Sequence, residues 1–162
     1  MEAILKEAGY RVGKYTSPVV FEYLEKYQIN GENIGEDNFA GLVSKVKVAI
    51  ERLTEEKGIQ PTIFEVETAM AIYGATCLQS DVLILETGLG GAEDATNIIK
   101  SPQICAFTNI SYDHMQFLGD TLTEIASVII PIDANSILFS EVNLRILSII
   151  FFLFLLFYCI FY

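Results

Sequence analysis

The feature that most constrains this chain is the run at residues 81–85, DVLIL, which is continuously apolar after its first residue and discharges into Glu86-Thr87-Gly88-Leu89-Gly90-Gly91. Such a run reads as a strand covered on both faces, because a strand with one wet face alternates apolar and polar side chains. A second run, residues 104–107 (ICAF), ends at Thr108-Asn109. Helical patterns lie between the strand signals. Phe39, Leu42, Val43, Val46, Ile50 and Leu53 keep a helical stripe over residues 37–57, and Gly58 ends it. Residues 62–78 predict another helix, opened by the capping-box pattern Thr62-Ile63-Phe64-Glu65. Helices alternating with buried strands predict an α/β fold, a mostly parallel sheet flanked by helices.

Nearer the N-terminus, residues 1–8 read as the end of a helix stopped by Gly9. Residues 10–16 then read as a strand that ends at Thr16-Ser17-Pro18, where proline removes a ladder donor. Asn30-Gly31 is a hairpin turn signal. With 10 basic against 21 acidic residues and a net charge of -11, the chain has no basic face for a nucleic-acid backbone. Cys77, Cys105 and Cys159 have neither paired cadence nor metal-ligand spacing, which supports neither a disulfide framework nor a zinc knuckle and points to a reducing compartment.

In open parallel sheets ligands gather beyond the carboxyl ends of the strands. The residues just after the strand signals are Thr16-Ser17-Pro18, then Glu86 with its glycine turn and Asp94-Ala95-Thr96-Asn97, then Asn109 with Asp113-His114. A hydroxyl, a carboxylate and an imidazole on neighbouring strand ends can share a divalent cation, with oxygens suiting magnesium. Each also has a plainer reading. Thr16 and Ser17 are turn formers before a proline, and His114 could cap a helix. Glu86, after an apolar run, must be solvated, paired or metal-bound.

Two glycine motifs fail as phosphate loops. Gly9-Tyr10-Arg11-Val12-Gly13-Lys14 has the wrong spacing and precedes a strand, whereas a P-loop follows one. Gly88-Leu89-Gly90-Gly91 has Glu93 where a third dinucleotide-binding glycine belongs.

Taken together, GYRVGKYTSP, QINGE, TIFEVETA, LETGLGGAEDATN and TNISYDHMQFLGDTLTEIA, in this order over residues 1–126, resemble the ATP-binding domain of the bifunctional folylpolyglutamate synthase/dihydrofolate synthase family, within the Mur ligase superfamily. The resemblance implies a Mur ligase central-domain-like fold and an ATP- and magnesium-dependent ligase. Such a ligase joins L-glutamate to dihydropteroate or a folate through an acyl phosphate. By matching motif it implies Ser17, Glu86 and His114 as magnesium ligands, and Thr62, Phe64, Asp94 and Ala95 as residues that hold the pterin. For Thr62 a capping role and a pterin role stand side by side. The expected partners are dihydropteroate or folate and L-glutamate, with a monomeric chain in the cytoplasm.

The chain also departs from the family pattern. The family's phosphate loop, of the form GTNGKGS, is missing ahead of residue 1, and a lysine that becomes carbamylated in the family has no counterpart in SVIIPIDANSILFSEVNL. Ala92-Glu93 replaces a usual Arg-Leu, and the family's C-terminal domain is missing. The expectation is therefore a partial ligase domain at residues 1–126, an unrelated connection at 127–145 and an apolar helical tail at 146–162, the whole inactive as a ligase. The tail, ILSIIFFLFLLFYCIFY, is charge-free but at the lower limit of a membrane span, and reads as translated noise more readily than as an anchor. The competing function class is a non-catalytic, membrane-tethered binding or interaction protein on the same α/β domain.

Overall fold

The structure is a computed structural model that describes residues 1–107 and 110–129, and the backbone of 137–139. The chain divides into two compact units, Met1–Ile98 and Ile99–Tyr162.

In the first unit, helix α1 (Glu2–Glu7) ends as its glycine requires. Gly9 sits at φ +88°, its N–H donates to the Lys6 carbonyl at 2.9 Å, and the Tyr10 N–H reaches the Leu5 carbonyl at 3.1 Å. This pair of bonds closes the helix and turns the chain into strand β1 (Val12–Tyr15). Strand β1 lies inside a four-stranded sheet of order β3-β2-β1-β4, where β2 is Tyr27–Ile29, β3 is Glu32–Asn33 and β4 is Val82–Leu85. It pairs antiparallel with β2 and parallel with β4, in a register that sets Tyr15 opposite both Tyr27 and Leu85.

The sheet is thus mixed rather than mostly parallel, since only its β1–β4 ladder is parallel. The β2–β3 ladder follows from the Asn30-Gly31 turn, whose residues have φ 52° and 82°. Positive φ at both central positions is the type I′ geometry that joins neighbouring antiparallel strands. The Asn30 side chain adds to it by accepting from the Val12 N–H at 2.8 Å. Strand β4 is half-buried at every position rather than covered on both faces, because it ends the strand order of this sheet.

Helices α2 (Glu36–Lys57) and α3 (Ile63–Cys77) pack together over the sheet. Leu42 and Val46 of α2 meet Met70 and Ala71 of α3 in a core that also holds Tyr15, Tyr27 and Ile34. A Cβ on Gly74 would stand 2.8 Å from Leu42 Cδ1, so the small residue lets the helices approach. Gly58, at φ +66°, caps α2 in the left-handed region.

One polar cluster interrupts this core. Lys26 ends a 3-10 turn (Tyr23–Lys26) and its ammonium lies 2.6 Å from the Glu67 carboxylate on α3, with Lys26 9% and Glu67 4% exposed. Tyr23 donates its hydroxyl to Glu67 Oε1 and Tyr15 donates to Oε2 at 3.4 Å, so the carboxylate is shared by three donors.

In the second unit, strand β5 (Cys105–Phe107) pairs parallel with β6 (Ile137–Phe139). A parallel pair needs a crossover, and helices α4 (Met115–Leu118) and α5 (Leu122–Ile129) lie in that connection. Thr121 and Glu124 exchange hydrogen bonds at the start of α5, where the Glu124 N–H donates to Thr121 Oγ1 at 3.2 Å and Glu124 Oε2 accepts from the Thr121 N–H at 3.0 Å. Thr108 and Asn109, most of the connection at 127–145 and the whole tail at 146–162 lie outside the described residues. Among the described residues no helix is long and apolar enough to cross a membrane.

The buried cluster makes stability depend on pH at both ends. Burial disfavours the charge on Glu67, but hydrogen bonds from Lys26 and Tyr23 and the Lys26 charge outweigh it and hold the carboxyl below its ordinary range. This contribution is present above the ordinary carboxylate range and is lost as pH falls through the lowered value. Burial, then hydrogen bonding to Glu67 and its charge, push Tyr23 up from 10.0 to about 12. Burial and charged neighbours push Tyr15 and Tyr27 up as well. That contribution is complete below pH 10 and fades as pH rises through the raised values. Thermal melts should therefore show a plateau near neutrality with losses on both flanks, and Glu67→Gln should flatten the acid flank. An unchanged acid flank in that variant would contradict the assignment.

Candidate functional site

The parallel register that sets Tyr15 opposite Leu85 also sets the next residues of both strands side by side. The Glu86 N–H donates to the Tyr15 carbonyl at 3.0 Å, and the Glu86 carboxylate turns back to accept the Ser17 N–H at 2.7 Å. Thr16 is held from the other side, where its N–H donates to the Lys26 carbonyl at 3.1 Å. The Ser17–Pro18 peptide is cis. Two of the three expected magnesium ligands, Ser17 and Glu86, are thus neighbours at one strand end. Glu86 is exposed, so its charge stays hydrated although it follows an apolar strand.

Past Glu86 the chain folds on the Asp94 side chain. Asp94 Oδ2 accepts the Gly88 and Leu89 N–H groups, both at 3.0 Å, while Oδ1 accepts the Thr96 N–H at 2.9 Å and the Thr96 hydroxyl at 2.6 Å. Four bonds match the acceptor capacity of a carboxylate. Asp94 therefore staples the glycine turn to a second 3-10 turn, Ala95–Ile98. Asn97 adds a bond from its side-chain amide to the Ala92 carbonyl at 3.0 Å.

Phe64, on the first turn of α3, closes over this loop. A Cβ on Gly88 would come within 2.6 Å of the Phe64 ring, so glycine is what lets the loop meet the aromatic face. The other side of the same ring is tied to the sheet through Tyr15, whose ring centroid lies 6.3 Å away. Thr62 is the N-cap of α3: its hydroxyl accepts the Glu65 N–H at 3.3 Å and its own N–H donates to Glu65 Oε2 at 2.6 Å. The Thr62 amide and hydroxyl hold the Glu65 carboxyl below its ordinary range. The capping reading of Thr62 is realised.

Between α3 and the second 3-10 turn lies a cleft of about 410 Å³. Its walls include Glu65, Thr68 and Ile72 on the helix and Asp94, Ala95 and Ile98 on the loop. Of the expected pterin residues, Asp94 and Ala95 line it, whereas Thr62 and Phe64 stand at the start of α3 and do not.

His114 belongs to the second unit. It is exposed, adopts a left-handed φ of 47°, and heads α4, where its carbonyl accepts from the Phe117 and Leu118 N–H groups at 2.8 and 3.0 Å. Its Nε2 lies 3.9 Å from Asp113 Oδ1. Among the described residues no three His, Cys, Asp or Glu side chains cluster as a metal-binding group. Sequence reasoning missed the Gly88–Phe64 contact and the stapling role of Asp94. The spacing of Asp94 from the glycines and from Thr96 held the second, as an Asx-turn signal, but the first required the fold.

No family model matches the chain. It is similar in fold to an FPGS–AMPPCP–folate complex, with a TM-score of 0.75 and 35% identity, covering 78% of this chain and 31% of that one. It is likewise similar to E. coli FolC in complex with DHPP and ADP, with a TM-score of 0.71 and 35% identity, covering 78% of this chain and 29% of that one. The fold is an α/β domain similar to part of these synthase structures. More particularly, this chain is homologous to part of the folylpolyglutamate and dihydrofolate synthases. The dihydrofolate synthase/folylpolyglutamate synthase of Bacillus subtilis is 41% identical to it over 127 residues, which make up 78% of this chain. The chain spans 29% of the length of that relative.

The Phe64–Gly88 contact gives a direct test of how the loop is seated. Gly88→Ala should destabilise the chain by about 1–3 kcal/mol through overpacking. Phe64→Leu in the same chain should relieve part of that loss by removing the ring. Urea denaturation of the two single variants and the double variant measures the coupling, and strictly additive losses would contradict the contact.

Proposed function

We propose that this chain carries the magnesium- and pterin-binding wall of an ATP-dependent ligase that joins L-glutamate to dihydropteroate or to folates. The carrying observation is the strand-end junction, where the Glu86 carboxylate grips the Ser17 N–H at 2.7 Å and leads directly into a glycine turn stapled by Asp94. The reading is supported by the synthase relative in Bacillus subtilis and by the AMPPCP, folate, DHPP and ADP complexes among the similar structures. In this reading residues 1–126 form the ligase part of the chain.

The donor chemistry suits magnesium. Ser17 and Glu86 offer hard oxygens, and an exposed carboxylate matches an ion that keeps several waters and takes few protein ligands. Magnesium, when bound, supplies charge neutralisation on the phosphates of ATP while the substrate carboxylate is activated as an acyl phosphate. The protein's part is placement. The Ser17 N–H fixes the rotamer of Glu86, and the side-chain-free glycine turn lets a ligand approach the backbone.

For the pterin, Phe64 offers a ring at the edge of the loop, Thr62 sits at the helix start beside it, and Asp94 and Ala95 line the cleft along α3. Because the Asp94 oxygens already accept four bonds, a pterin amine would share an oxygen with the Gly88 and Leu89 amides. Asp94 therefore acts both as a contact and as the anchor of the turn.

Calorimetric titration of the full chain with dihydropteroate in the presence of magnesium tests this directly. Saturable binding is expected, with Phe64→Ala and Asp94→Ala each weakening it at least about tenfold, equivalent to roughly 1.4 kcal/mol. Absence of saturable binding, or binding indifferent to both substitutions, would overturn the proposal.

A further inference from the structure

The most heavily buried ionic group in the first unit lies outside the residues assigned above. Glu67 and Lys26 are 4% and 9% exposed, and their charged atoms are 2.6 Å apart. Replacing such a pair by well-packed apolar side chains is often neutral or stabilising, so stability alone gives no reason for an ion pair here. What an ion pair adds is direction, and here the direction is toward the strand end. The carbonyl of Lys26 accepts the Thr16 N–H at 3.1 Å, while the Lys26 side chain is tethered to α3 through Glu67. Tyr15, immediately before Thr16, gives its hydroxyl to Glu67 at 3.4 Å and its carbonyl to the Glu86 N–H at 3.0 Å. Phe64 lies one helical turn before Glu67 on α3 and faces the Tyr15 ring.

We propose that Glu67 is a positioning residue for the strand-end site: through Lys26 and Tyr15 it fixes Thr16 and Ser17 in register with Glu86, and it holds that strand end at a set distance from Phe64. The inference rests on the reading that Ser17, Glu86 and Phe64 serve ligand binding. Its geometry can nevertheless be tested without any ligand. Two routes from one carboxylate converge on adjacent residues. Lys26 sets Thr16 through the backbone, and Tyr15 ties the strand to Glu67 through its hydroxyl and to Glu86 through its carbonyl. Loss of the charge pair should therefore loosen residues 16 and 17 selectively, leaving the start of the strand at Val12 as it was.

The experiment is amide hydrogen exchange by NMR on the full chain in three forms. The apolar swap Lys26→Met with Glu67→Leu refills the space without charge. Glu67→Gln keeps hydrogen bonds but loses the ion pair. Val46→Ala loosens the packing between α2 and α3 without touching the cluster. At matched global stability, the swap should speed exchange at Thr16 and Ser17 by about tenfold or more relative to Val12, with Glu67→Gln intermediate and Val46→Ala without a selective effect. Exchange at Thr16 and Ser17 that follows global stability equally in all three variants would overturn the positioning role. Should the swap fail to fold, Glu67→Gln carries the same comparison alone. Failure of dihydropteroate binding in the unsubstituted chain would refute the ligand reading and leave this result standing or falling by itself.

Discussion

A carboxylate that is 4% exposed must be fully partnered or it destabilises the fold by several kcal/mol. Glu67 meets that requirement with Lys26, Tyr23 and Tyr15, and in doing so it joins three elements: the 3-10 turn, the central strand and helix α3. The aromatic rings around it complete the same junction. Tyr27 and Phe39 lie 5.6 Å apart and Tyr15 and Phe64 6.3 Å apart, so the sheet contacts both long helices through tilted ring pairs.

The strand-end site is a consequence of register. Strand β1 carries a parallel partner on one side and a hairpin on the other, so residues 16 and 17 leave the sheet between the Lys26 carbonyl and the Glu86 carboxylate. The glycine turn after Glu86 would have no fixed shape from its own sequence. Asp94 supplies one by collecting four donors, and Phe64 supplies a surface for the turn to rest on. Backbone pairing, one carboxylate and one ring thus build the proposed binding edge out of residues with little intrinsic preference for it.

Local signals in the sequence carried well. The apolar stripe ending at Gly58 is helix α2, the Thr62-to-Glu65 capping box opens α3, and Gly9 and Asn30-Gly31 turn the chain where their conformational freedom allows. Each depends on neighbouring residues alone. The sheet is less parallel than the alternating pattern implies: the Asn30-Gly31 hairpin accounts for the β2–β3 ladder, but the antiparallel return of β2 onto β1 through residues 16–26 carries no local signal. Strand β4 read as doubly covered from its apolar run, yet its burial depends on how many strands pair beside it, which no local pattern records. In the site, adjacency of Ser17 and Glu86 was legible from strand ends, and the resemblance of five ordered motifs pointed to folate ligases. The Lys26–Glu67 pair was illegible, since a lysine and a glutamate 41 residues apart read separately as surface charges.

The central proposal is that Ser17 and Glu86, neighbours at one strand end, share one divalent cation. Manganese, a paramagnetic stand-in for magnesium, reports such a site residue by residue when titrated into the isotopically labelled full chain. The account predicts that the Ser17 and Glu86 amides broaden together at the lowest manganese concentrations. Broadening that spreads over the acidic surface, or that leaves the Ser17 amide sharp while Glu86 disappears, would contradict it.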